Sequence, residues 1–173
     1  MKNLRLLAKS SPSPRRLILF KMTVESIYLD FKKKYKDLPS FEDINIEFEI
    51  ASVEEPFVLQ NIRRQMIEKA EFYIKIINEL LQPDSEITSM YECKFFQDDE
   101  KGGVYDVLKK LMFFSRFSAE VGLKADEKEE VKFISEFFKD WIKLKPSLLS
   151  IISKIKSSWD SDTELKDDLA YFG

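Results

Sequence analysis

Apolar side chains return every three or four residues along most of this chain, and only 4 of its 173 residues are glycine. That spacing matches the 3.6-residue helical turn, so it calls for amphipathic helices that bury one face against each other. Val24, Ile27, Tyr28, Phe31 and Tyr35 make one stripe, with Thr23 placed as an N-cap and Lys32, Lys33 and Lys34 at the far end, where the helix dipole is negative. Leu59, Ile62, Met66, Ala70, Tyr73, Ile77 and Leu80 make a longer seam. The capping-box spacing of Ser52 and Glu55 precedes it, which predicts a spine helix over about 53–81. Further stripes predict helices over about 85–96, 104–121 and 126–142. A last one starts at Pro146, because proline suits a first helical turn, and runs to Trp159. Residues 97–103 read as a polar loop and Gly122 as a C-cap.

One stretch breaks the rhythm. Over residues 43–50, Ile44, Ile46, Phe48 and Ile50 alternate with polar side chains, and a period of two is the mark of an extended strand. No partner strand is visible elsewhere in the chain. Three placements stay open: an arm lying on the bundle, a helix despite the period, or pairing with another molecule's edge. The arm is the expected one. The fold expectation is therefore all-α, a single irregular bundle of about six helices around one long helix, with one extended segment.

The two ends differ in sign. Lys2, Arg5, Lys9, Arg15, Arg16 and Lys21 precede the first acid, while Asp160, Asp162, Glu164, Asp167 and Asp168 face only Lys166 after Trp159. The expected organisation is a helical domain over 22–159 between a basic, disordered segment at 1–21 and an acidic, mobile tail at 160–173. The basic segment fits a secretory signal poorly, since prolines interrupt a short apolar core. It reads either as residues ahead of a true start at Met22 or as an organelle transit peptide. The longest apolar runs, 17–20 and 111–114, fall far short of the roughly 20 residues needed to span a bilayer, so no membrane partner is expected.

Histidine is absent altogether, which excludes Ser-His-Asp and Cys-His catalysis, His-containing zinc sites and the di-iron bundle. Four glycines so placed cannot build a phosphate-binding loop or a dinucleotide fingerprint. Carboxylate-only metal binding needs a closer look. Glu68 and Glu71 share a helix face, as do Glu127 and Glu130, but the Glu-x-x-Asp of Glu164 and Asp167 lies far off in the acidic tail. Arg64 and Lys75 stand one turn from Glu68 and Glu71, so a solvated helix surface is the expected reading. No catalytic residue, metal or cofactor is assigned.

The lone Cys93 cannot form an internal disulfide and favours a reducing, cytoplasmic compartment. Asn and Gln are scarce beside Lys and Glu, a lean shared with thermophile proteins. Phe113 and Phe117 stand one turn apart, off the main stripe of their helix; a second apolar face implies a central helix or a covering partner. Leu165, Leu169 and Phe172 would align in the acidic tail as a short docking peptide. The function expected is non-enzymatic: a helical protein–protein interaction module that binds another protein or itself. The competing expectation is a nucleic-acid-associated protein using Arg15, Arg16, Arg63 and Arg64; the net charge of -3 argues against bulk attraction to phosphate.

Overall fold

The computed structural model describes residues 23–53, 56–83 and 86–160. Among them the regular elements are all helical: α1 (Val24–Lys34), α2 (Phe41–Phe48), a 3-10 turn (Ile50–Ser52), α3 (Val58–Leu81), α4 (Ile87–Lys94), α5 (Asp98–Lys124) and α6 (Glu127–Trp159). The all-α bundle expected from the sequence is the fold observed.

Local chemistry sets several boundaries. The Thr23 hydroxyl accepts from Ser26 N at 3.2 Å and starts α1. The Gln97 N–H donates to Glu100 Oε2 at 2.8 Å, closing a capping box on α5. Asp126 Oδ1 takes the backbone N–H groups of Lys128 and Glu129 at 2.9 and 3.1 Å, which starts α6.

α3 is the axis. Ile62, Met66, Ala70 and Ile77 are wholly buried along it, at about 1.5–3 kcal/mol for each large apolar side chain. α5 lies along α3, α6 packs on both, and α1, α2 and α4 flank it. Between α5 and α6 the rings of Phe114, Phe133, Phe137 and Trp141 form a continuous aromatic stack, with Phe133 and Phe137 parallel at 5.6 Å.

Four expectations change. Residues 43–50 are not an extended arm: 41–48 is helix α2, capped by Ser40 Oγ, which accepts from Asp43 N at 3.0 Å. The alternation misled because Ile46 faces solvent while Glu47 is buried, so the true core set is Ile44, Glu47 and Phe48 at helical spacing. The spine starts at Val58 rather than near 53, because Phe57 adopts a left-handed backbone (φ 74°) that resets the chain direction. The polar loop at 97–103 is instead the first turns of α5, Gly102 and Gly103 included, and that helix runs past Gly122 to an Ala125 cap. The helices expected on either side of Pro146 are a single one, α6. Proline removes one N–H bond and normally kinks a helix. Here Pro146 is exposed while Trp141, Leu148 and Ile151 anchor both sides in the core.

Candidate functional site

Two charged side chains lie where the helical period demands apolar ones. Arg63 on α3 and Glu130 on α6 have side chains 9% and 3% exposed, joined by Arg63 Nε to Glu130 Oε2 at 2.8 Å. The same guanidinium donates from Nη1 to the Ser118 carbonyl at 3.0 Å and to Ser118 Oγ at 2.7 Å. Gly122, one turn further along α5, faces it: a Cβ there would stand 3.4 Å from Nη2, in van der Waals contact. Glu130 Oε1 has no hydrogen-bond partner, an unusual state for a buried acceptor.

Glu130 also lines a groove of about 460 Å³ between α1, the 56–60 stretch and the α5–α6 corner. Its walls are apolar, from Ile27, Phe31, Phe57, Leu59 and Ala125. Two of these, Phe57 and Ala125, hold positive φ, and Phe57 is 67% exposed. The polar part of the lining includes Asp126, Glu127 and Glu130, and among the described residues no lysine or arginine lines it. Lys34 Nζ and Tyr35 Oη donate to Glu127 Oε1 at 2.6 and 2.7 Å, and these bonds hold its carboxyl below the usual range.

A second groove, about 700 Å³, runs between α5 and the Pro146 region of α6. Val107, Phe113 and Leu144 give it an apolar floor, and Lys109, Lys110 and Asp106 stand around it. Phe113 is 59% exposed, and its ring meets Phe114 edge-on at 5.2 Å and Phe117 at 6.1 Å. Phe113 is thus the outer end of the buried aromatic stack. Phe117 is half-buried, 5.4 Å from Phe133, with the Lys132 ammonium 5.7 Å above its ring.

A third polar cluster ties α2 to α6. Trp141 Nε1 and Lys145 Nζ donate to the two carboxylate oxygens of Glu47 at 3.0 and 2.6 Å. Burial alone would raise the Glu47 pKa, but the bonds from Lys145 and Trp141 together with the nearby Lys69 charge bring it below the usual carboxylate range.

The sequence-derived candidates fare unequally. Phe113 and Phe117 are adjacent on one surface, with only Phe113 strongly exposed. Arg63 is withdrawn from the proposed basic face, since it is buried and its charge is matched by Glu130; Arg64 remains exposed. Arg15, Arg16, Leu165, Leu169 and Phe172 lie outside the described residues. Sequence reasoning missed Glu130 and Ser118 as core partners, although both fall on the core-facing period of their helices. Among the described residues no helix is long and apolar enough to cross a membrane. No family model, curated protein or solved structure matches this chain.

Proposed function

We propose that the chain is a non-enzymatic protein–protein interaction module whose docking face is the α5–α6 groove around Phe113. The observation that carries this reading is an aromatic side chain left 59% exposed at the edge of a concave apolar floor. Aromatic anchors in such settings are the residue class enriched at interface hot spots. The paired Lys109 and Lys110 favour a partner segment that places an apolar side chain beside acidic ones. Phe113 rests on a fixed ring stack, so docking costs little side-chain ordering.

The test is affinity capture of the tagged full-length protein from its host's lysate, with and without nuclease, for wild type and Phe113→Ser. A stoichiometric protein that survives nuclease and disappears with Phe113→Ser, at unchanged helicity, supports the reading. Capture that Phe113→Ser leaves intact refutes it, and so does unfolding of that variant, since Phe113 would then be core. The nucleic-acid alternative retains Arg64 but not Arg63 among the described arginines.

A further inference from the structure

We infer that the chain's own acidic segment, residues 161–173, occupies the α5–α6 groove, so that the protein shields the face it offers to a partner. The inference rests on the reading of that groove as a docking face. Its first support is unmatched charge. Lys109 and Lys110 line the groove and are exposed, and among the described residues neither pairs with an acid. Other lysines of the same two helices are matched: Lys101 by Asp98, Lys143 by Asp140 and Lys154 by Glu100. Asp106 is the one acid in the lining, so positive charge is left over beside the floor of Val107, Phe113 and Leu144.

The segment, which lies outside the described residues, has the complementary chemistry. Leu165, Leu169 and Phe172 recur at i, i+4 and i+7 among Asp162, Glu164, Asp167 and Asp168, with Lys166 as the one cation. That spacing is how a helix anchors in an apolar groove, and it sets Glu164 and Asp168 one turn apart beside the stripe. The distance also fits. Lys154 pairs with Glu100, so the end of α6 and the start of α5 share one end of the bundle. Gly103 lines the groove within a turn of Glu100, and a Cβ there would meet nothing within 4 Å, which leaves that entrance open. From Trp159 back to Ser147, α6 runs about 18 Å. Residues 161–173 cover about 20 Å as a helix and about 40 Å extended. A short tether holds its segment at millimolar effective concentration, so a contact with Kd of about 0.1 mM is about nine-tenths occupied. A competing partner then binds about tenfold more weakly than it would to an empty groove.

The test places a nitroxide label on Gly173→Cys in a Cys93→Ser background of the full-length protein and reads it by NMR. The label should at least halve the signals of Val107, Phe113 and Leu144 and leave that of Leu29 on α1 unchanged. Lys109→Glu with Lys110→Glu should restore those signals, and adding Glu164→Lys with Asp168→Lys should bring the broadening back. Should Cys93→Ser lose helicity, wild type compared with Leu169→Ser and Phe172→Ser together carries the test: shift changes centred on Val107, Phe113 and Leu144 support the contact, and their absence there overturns it. No broadening, or broadening indifferent to the charge reversal, overturns the inference. So does broadening of label-free protein mixed with labelled protein, which would place the segment in a second copy. Capture lost in Phe113→Ser without any broadening sinks the tail contact alone. Broadening together with capture that Phe113→Ser leaves intact sinks the external partner alone.

Discussion

Replacing Arg63 by Met tests whether the buried charge pair belongs to the architecture. The substitution keeps much of the side-chain volume and removes three hydrogen bonds, one to Glu130 Oε2 and two to Ser118. It leaves a carboxylate that is 3% exposed with neither oxygen paired. Removing one partner of a buried pair costs about 3–5 kcal/mol, a large share of the roughly 5–15 kcal/mol that stabilises a domain. Glu130→Met strands the guanidinium in the same way and should cost a similar amount, less the two bonds that Ser118 still accepts. The double variant strands no charge, so it should lie within about 2 kcal/mol of wild type. Urea unfolding followed by helical circular dichroism on all four proteins yields the coupling energy. We expect the double variant to be more stable than either single one, with coupling of about 3 kcal/mol or more. Additive single effects would refute the reasoning, because they would mean that each charge reaches solvent or another partner once its mate is gone.

Other consequences follow from the same contacts. Because the folded Glu47 carboxyl titrates below its usual range, its contribution is complete above the unfolded value of about 4.3 and is lost as pH falls through the folded value. The urea-midpoint gap between wild type and Glu47→Gln should therefore be widest near neutrality and close below about pH 4; a gap independent of pH would disprove this. Phe57→Gly relieves a left-handed cost of roughly 1–2 kcal/mol against a glycine entropy cost of about 0.5–1 kcal/mol, so a net gain of about 0.5–1 kcal/mol is expected in the same assay. Pro146→Ala restores an α6 hydrogen bond at an exposed position. It should raise Tm by about 3–7 °C, from a gain of about 1–2 kcal/mol; a lower Tm would show that the proline sets a bend the core requires.

What could be read in the sequence depended on whether the core stayed apolar. In α1 the core side chains Val24 and Tyr28, the Thr23 cap and the terminal lysines all agree, so element and orientation were visible. In α2 a solvent-facing Ile46 and a core-facing Glu47 exchanged their usual places, and the apparent period fell from that of a helix to that of a strand. Glycine misled in the same way. Gly102 and Gly103 lie inside α5, while the left-handed positions among the described residues went to Glu49, Phe57 and Ala125, so no described glycine marked a turn. The exposed Phe113 was legible because it leaves the stripe of Val107, Leu111 and Phe114. Its groove was not, since Leu144 and Ser147 reach it from α6, across a tertiary contact.

The charged centre nevertheless carries a signal of its own. Arg63 falls four residues after Leu59 and three before Met66, and Glu130 falls three before Phe133 and four before Ile134, so both occupy core-facing positions of their helices. Ser118 falls four after Phe114 and four before Gly122, giving α5 an acceptor and then a gap at successive turns. Opposite charges at core positions of two helices, with small residues at the matching positions of a third, are satisfied together in the alignment observed. Sliding α6 by a turn, about 5.4 Å, so that Ile134 replaced Glu130 opposite Arg63 would bury both charges apart, at a cost above that of misplacing any single aliphatic side chain. Apolar seams on α3, α5 and α6 supply most of the attraction but tolerate several registers. The Arg63–Glu130–Ser118 contact is best satisfied in the observed one, in which Glu130 also lines the groove beside Phe57.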